Sequence, residues 1–274
     1  LQVDGAITGS STINGVGISS NITNFSQGIL ISNDAGTGTL DAASNNTGLG
    51  FEVFDDLTSG DQNTGVGVQA LAKVTTGSNN NAIGETALFT NTTGGNNVAM
   101  GRAALETNNA DNNTAIGHQA LKANSTGATN VAVGSSALLA NTTAADGVAV
   151  GASALAANTT GANNTGIGRS ALTANTTGIN NVAVGSTALD ANTTADHNTA
   201  VGTGALSADT LGQANVAIGS GALQTQNFTS STDSYNIGIG RLAGGAVTTG
   251  VQNTLIGGLA GDAITTAGGN TALG

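Results

Sequence analysis

Fourteen glycines recur along this chain at a nearly fixed spacing, and this repeat constrains the fold more than any other feature of the sequence. The spacing is 17 residues, with one interval of 16 and one of 21. The series consists of Gly50, Gly67, Gly84, Gly101, Gly117, Gly134, Gly151, Gly168, Gly185, Gly202, Gly219, Gly240, Gly257 and Gly274. A unit this short cannot bury its own apolar residues, so it is stable only when stacked on its neighbours as one turn of a solenoid. The repeat therefore predicts a rod.

Two short β segments are indicated in each unit, for example Val131-Ala132-Val133 before Gly134 and Ala137-Leu138 after it. Side chains alternate between the two faces of a strand, so both valines share one face and Ala132 lies on the other. We expect the larger valines to fill the solenoid interior. The row of Ala and Gly residues, which includes Ala183, would then face outward and pack against another copy of the chain. The predicted fold class is all-β, a parallel β solenoid of the β-roll or β-helix kind with 17-residue turns.

Three columns of identical residues are expected to hold the turns together. Asn stands four residues before the glycine in 13 of 14 units, and Leu stands four residues after it in ten consecutive units. We predict that the Asn column forms a corner, where Asn tolerates positive φ and its amides can hydrogen-bond from turn to turn. The Leu column would fill the core. The structural ladders are represented by Asn130, Gly134, Leu138, Asn181, Gly185 and Leu189.

The spacing divides the chain into two predicted regions and marks one insertion. Residues 1–44 lack the period and are interpreted as a β-rich adaptor, and residues 45–274 form the repeat shaft. Four extra residues enlarge one corner into a loop at 224–235. Such insertions map to surface loops and are often used for binding, although a tolerated bulge explains them equally simply. The candidate receptor contacts in this loop are Phe228, Asp233 and Tyr235.

The unit Asn-Asn-Thr-Ala-Ile-Gly, followed by Ala-Leu and Asn-Thr-Thr-Gly, resembles the repeat of bacteriophage tail-fibre proteins. It resembles in particular the array that precedes a self-cleaving intramolecular chaperone domain, and the likeness covers nearly the whole chain. The opening Leu1–Ser10 and the closing Gly261–Gly274 look like stretches that flank such arrays. A related head repeat occurs in trimeric autotransporter adhesins. The resemblance implies a parallel homotrimeric fibre.

Composition excludes several classes of partner. The net charge is −11 with only five Lys and Arg residues, which argues against nucleic acid and anionic membranes as partners. Apolar stretches are broken by Gly and Ser and fall short of the roughly 20 residues of a membrane span, so no membrane insertion is expected. Because the chain opens on Leu1 rather than Met, we expect a processed product or a segment of a longer protein.

Catalytic chemistry is not indicated. His118 and His197 stand at different phases of different units, so we interpret both as solvent-facing residues. No cofactor or metal site is predicted, and the chain is not expected to be an enzyme. Repeated Thr-Thr corners raise an ice- or mineral-binding surface as an alternative, but adjacent Thr side chains point in opposite directions and Leu211 interrupts the series.

The sequence therefore predicts the structural shaft of a phage tail fibre, located in the virion and supporting attachment to a host-surface glycan or protein. The alternative is an extracellular trimeric adhesin on a bacterial cell surface.

Overall fold

The structure, a computed structural model, describes residues 11–13, 16–22, 25–32 and 42–274. It divides into two compact units, residues 1–129 and residues 130–274. The described part of each unit is all-β, with strands and turns and no helix. The opening motif Leu1–Ser10 lies outside the described residues.

Unit 1 begins with antiparallel strands and continues as a parallel stack. Its strands are β1 (Ser11–Ile13), β2 (Val16–Ile22), β3 (Phe25–Ser32), β4 (Ala43–Ser44), β5 (Thr47–Leu49), β6 (Thr64–Val66), β7 (Asn81–Ile83), β8 (Val98–Met100) and β9 (Thr114–Ile116). Strands β1, β2 and β3 pair antiparallel. Strand β3 then pairs in parallel with β4 and β5, and β5 to β9 follow one another in parallel. The antiparallel segment thus provides the first strand on which the repeat turns stack.

Unit 2 is a second parallel stack. Its strands are β10 (Val131–Val133), β11 (Val148–Val150), β12 (Thr165–Ile167), β13 (Val182–Val184), β14 (Thr199–Val201), β15 (Gly212–Gln213), β16 (Val216–Ile218), β17 (Thr232–Asp233), β18 (Ile237–Ile239), β19 (Thr254–Ile256) and β20 (Thr271–Leu273). The main stack contains every strand except β15 and β17, which pair with each other in parallel. Neighbouring strands keep a 17-residue register, as in Val148 opposite Thr165, except that β16 and β18 are offset by 21 residues across the inserted loop. The predicted parallel β solenoid with 17-residue turns is confirmed.

The predicted direction of the strand side chains is wrong. Ala132 and Ala183, the middle residues of β10 and β13, are fully buried within a single chain, whereas the flanking residues are half-buried or exposed. The reason is the space left by the Leu column. A Cβ added at Gly166, which occupies the middle position of β12, would lie 3.2 Å from Leu155 Cγ. Only a methyl group or a hydrogen fits there, so the valines must point outward.

The segment after the glycine is also not a strand. Residues Gly134, Ser136 and Leu138 all have positive φ, at 140°, 57° and 49°. These bends turn both Ala137 and Leu138 into the core, whereas an extended strand would point them to opposite faces. A left-handed conformation costs a residue such as Leu about 1–2 kcal/mol. Burial of the Leu side chain contributes about 1.5–3 kcal/mol, and Leu138 N–H also donates to Ala154 O at 3.0 Å in the next turn.

The Asn column before the glycine forms a buried hydrogen-bond ladder. Asn181 N–H donates to Asn164 Oδ1 at 2.9 Å, and Asn198 N–H donates to Asn181 Oδ1 at 3.0 Å. The positive φ expected at this corner falls one residue earlier, on Asn180 at 58°. Asn is therefore needed here because its amide can both accept from the next turn and donate to Ala195 O, at 2.8 Å for Asn181.

A second buried amide column lies seven residues after the glycine, where the sequence predicted only a corner. Its members in unit 2 begin with Asn141, Asn158, Asn175 and Asn192. Asn175 Nδ2 donates to Asn158 Oδ1 at 2.8 Å and to Gly178 O at 3.0 Å. The signal was present in the sequence as Asn recurring at the repeat spacing. A column of small polar residues is equally consistent with an exposed corner, and only the folded turn shows that it points inward.

Candidate self-association face and inserted loop

One apolar side chain per turn points outward from the residue just before the repeat glycine. We call this set the outer apolar row. In unit 1 it consists of Leu49, Val66, Ile83, Met100 and Ile116. In unit 2 it consists of Val133, Val150, Ile167, Val184, Val201, Ile218, Ile239, Ile256 and Leu273. Every member is half-buried or exposed, and neighbouring members stand about 4.8 Å apart as adjacent strands do.

Such a row is unusual for a monomeric protein. Contiguous apolar surface of this kind marks an interaction site more often than it marks free surface, because leaving it in water forgoes its burial energy. Ile167 is 38% exposed, while the interior-facing Ala183 is 0% exposed. The surface available for self-association in a single chain is therefore the face opposite to the one that the sequence predicted.

Charged side chains lie beside the row rather than in it. In unit 1, Arg102 Nε lies 3.2 Å from Glu85 Oε2, and Arg102 Nη1 lies 3.4 Å from His118 Nε2. Lys73 Nζ contacts Asp56 at 3.1 Å and Asp55 at 3.4 Å. Because these groups are substantially exposed, each pair contributes little to stability. Glu85 and Arg102 each follow a repeat glycine directly, so this pair lies next to the outer apolar row in the sequence of each turn.

The inserted loop is tied to the turns on either side. Its strand β17 pairs with β15, and Ser234 Oγ donates to Asn215 Oδ1 at 2.8 Å. On the other side, Asn227 N–H donates to Thr248 O at 2.9 Å. The four extra residues are thus absorbed by additional hydrogen bonding to the adjacent turns.

The three candidate contact residues of the loop are placed differently from one another. Phe228 is buried at 6% exposure, and its Cδ2 would lie 2.7 Å from a Cβ added at Gly212, so its ring packs where that glycine lacks a side chain. Tyr235 is 53% exposed and Asp233 is also exposed. A direct aromatic contact from this loop would therefore fall to Tyr235, and Phe228 would act by holding the loop in place.

A buried carboxyl group lies beneath the same loop. Asp209 is 1% exposed and occupies the second amide column. Its Oδ2 accepts from Gln226 Nε2 at 2.6 Å, and its Oδ1 accepts from Gly212 N–H at 3.0 Å. Burial raises the pKa of Asp209, and hydrogen bonds from Gln226 and from backbone N–H groups oppose that rise. Sequence analysis missed this residue, although it is the one acid in a column of amides.

The other polar residues considered from the sequence do not form a reactive group. His118 lies beside Arg102 in unit 1, and His197 Nε2 lies 3.3 Å from Asn180 Nδ2 in unit 2. Within the described ranges, no three His, Cys, Asp or Glu residues are grouped so that they could hold a metal ion. The same ranges contain no helix with the length and apolar character of a membrane span.

Comparison with known proteins found no match to any protein-family model, curated protein or solved structure. The likeness to tail-fibre and adhesin repeats therefore stays a resemblance between repeat units. The outer apolar row and the inserted loop are the surface features of the solenoid that bear on its function.

Proposed function

We propose that this chain is the shaft of a parallel homotrimeric fibre, most similar in role to a phage tail fibre, that supports attachment to a host surface. The observation that carries the proposal is the outer apolar row on both units. In-register parallel copies would bring identical rows together, so within each unit every turn would contribute one apolar side chain to a seam. Full burial of an exposed Val or Ile contributes about 1.5–3 kcal/mol, and the half-buried members of the row would gain part of that in each turn.

The number of chains, three, is taken from the resemblance to tail-fibre repeats. Closed cyclic symmetry suits such an assembly, because a rotation axis parallel to the stack places the equivalent rows of all copies around that one axis. The polar residues beside the row favour this arrangement over random aggregation. Glu85 and Arg102 would remain at the edge of the seam, where charged residues keep water contact.

The assembly is tested by mass measurement in solution on the full chain and on matched variants. We expect the parent to be a trimer. Ile167→Glu combined with Ile218→Glu places two charges on the outer apolar row and should yield monomers that retain β circular dichroism. Thr177→Glu places the same charge on an exposed corner and should remain trimeric. A parent that is monomeric, or a double variant that still assembles, would contradict the proposal.

The host-attachment part is tested separately with the assembled protein. Binding to bacterial cells and to a glycan array should be measured with the full chain and with residues 225–234 deleted. Binding that is lost on deletion would assign recognition to the loop from Gln224 to Tyr235. Equal binding by both forms would place it elsewhere on the shaft. Absence of binding by either would leave the chain a spacer.

A further inference from the structure

The second amide column of unit 2 is interrupted by a single acid. Along this column, each Asn side chain donates from Nδ2 to Oδ1 of the Asn in the preceding turn, at 3.2 Å from Asn158 to Asn141 and at 2.8 Å from Asn192 to Asn175. The next member of the column is Asp209, and the one after it is Gln226. An ionised Asp side chain has no hydrogen to donate, so the regular pattern cannot continue from Asp209 to Asn192.

Around Asp209 there is one hydrogen-bond acceptor more than there are donors. Both oxygens of Asp209 already act as acceptors: Oδ2 accepts from Gln226 Nε2 and Oδ1 from Gly212 N–H, and the backbone N–H groups of Leu211 and Phe228 also hydrogen-bond to the carboxyl group. In the preceding turn Asn192 Oδ1 is buried and has no hydrogen-bond partner, although the equivalent oxygen of Asn175 accepts from the next turn. A buried acceptor without a donor lowers the stability of the folded chain. A proton on the Asp209 carboxyl would provide the missing donor.

No cation compensates a negative charge on Asp209. The sequence contains no Lys or Arg between Arg169 and Arg241. The titratable groups on the neighbouring turns and the loop are Asp190, Asp196, His197, Asp233 and Tyr235. Their recorded hydrogen bonds are made elsewhere: Asp196 Oδ1 accepts from Ile179 N–H, His197 lies beside Asn180, and the Tyr235 hydroxyl faces Asp233.

We propose that Asp209, when protonated, donates to Asn192 Oδ1, which makes the turns beneath the inserted loop an acid-stabilised element. This inference concerns regulation of stability and does not depend on the proposed fibre function. A chain of hydrogen bonds links this acid to the loop and the core. Asp209 accepts from Gln226 Nε2, and Gln226 Oε1 in turn accepts from Asn236 Nδ2 at 2.8 Å.

The direction of the pH effect follows from linkage. Burial raises the pKa of Asp209 in the folded chain above its value in the unfolded chain, so the folded state binds the proton more tightly. The stabilising contribution is present while Asp209 is protonated in the folded state. It is lost as the pH rises through the raised folded pKa, and it grows on acidification until the unfolded chain is protonated as well.

The test combines a direct titration with an isosteric variant of the full chain. Carbon-13 NMR of the Asp carboxyl groups, with the signal assigned by its absence in Asp209→Asn, should show Asp209 titrating above the ordinary Asp range. Asp209→Asn provides the Nδ2 hydrogens of the regular column. Its melting temperature should exceed that of the parent at neutral pH, and the difference should shrink on acidification.

Asp233→Asn is the matched control, because it makes the same change on the exposed loop and should leave the melting temperature and its pH dependence as in the parent. Asp190 also has a raised pKa from burial and a buried oxygen without a partner. It is present in both proteins, so its titration cancels in the difference between the parent and Asp209→Asn. Titration of Asp209 within or below the ordinary Asp range would overturn the proposal, as would a lower melting temperature of Asp209→Asn at neutral pH.

Discussion

Leu255 occupies the core space that the missing side chain of Gly244 leaves open. A Cβ added at Gly244 would lie 2.7 Å from Leu255 Cδ1 and 2.8 Å from Leu223 Cδ2. In the ten turns from Leu71 to Leu223 the column position is Leu and the middle of the strand is Ala or Gly, whereas here the column position is Gly and the middle of β19 is Leu. The large and the small residue have therefore exchanged places between these two positions, and Leu255 is fully buried like the column leucines.

This exchange predicts strong coupling between positions 244 and 255. Gly244→Leu alone should lower the free energy of unfolding by about 1–3 kcal/mol through overpacking, and Leu255→Ala alone by about 2–5 kcal/mol through a cavity. The double variant restores the arrangement of the earlier turns and should be more stable than the sum of the single effects by about 0.5–3 kcal/mol. A double-mutant cycle by urea denaturation measures this, and simple additivity would contradict it.

The repeat glycines are predicted to be irreplaceable for a steric reason. Gly185 has φ of 140°, and a Cβ there would lie 2.5 Å from Gly202 O in the next turn. Gly185→Ala should destabilise unit 2 by about 2–6 kcal/mol, as the sum of about 1–3 from backbone strain and about 1–3 from overpacking. Gly258→Ala is the control, because nothing lies within 4 Å of its added Cβ, and it should change stability by no more than about 0.5 kcal/mol. Similar melting temperatures for the two variants would refute the steric account.

A carboxylate introduced into the regular part of the second amide column should make stability pH-dependent. Asn175→Asp removes the donors to Asn158 Oδ1 and Gly178 O and buries an acid, so the pKa of that acid should rise above its unfolded value. We expect a loss of about 1–3 kcal/mol or more at neutral pH, recovering partly as the pH falls towards 4. Asn180→Asp makes the same change at an exposed position and should be nearly neutral. Thermal melts at several pH values distinguish the two, and parallel profiles would argue against the buried ladder.

Substitutions of the two aromatic residues of the loop should have different effects, one on stability and the other on recognition. Phe228→Ala empties a buried position and should cost up to about 3–5 kcal/mol of local stability, seen as faster hydrogen exchange at β15 and β17. Tyr235→Ala alters an exposed side chain and should leave exchange unchanged. If the loop contacts a receptor, Tyr235→Ala alone should weaken that binding in the assembled protein. Equal protection of the loop in both variants would show that Phe228 does not anchor it.

The repeat spacing alone predicted much of this fold. A 17-residue period with a glycine in every unit left few solutions other than a parallel stack, because a unit of that size has no core of its own. The inter-turn bonding of Asn181 and the burial of Leu138 follow from the same logic, since identical residues at a fixed period must lie above one another. The prediction of which side chains face the core was wrong in strands such as Val131-Ala132-Val133. Both faces of such a strand are apolar, so the alternation of side chains does not show which face points inward.

The amino-acid sequence specifies the repeat and the residues that stack on one another. Which of those residues point inward depends on the volume left between chain segments in the folded turn, and a local sequence pattern does not contain that information. The left-handed bends at Ser136 and Leu138 bring the Leu column close to the strand, and the remaining gap admits Ala132 but not a valine. The same narrow interior buries Phe228 and Asp209, and it leaves the larger apolar residues of each strand in water as the surface available for self-association.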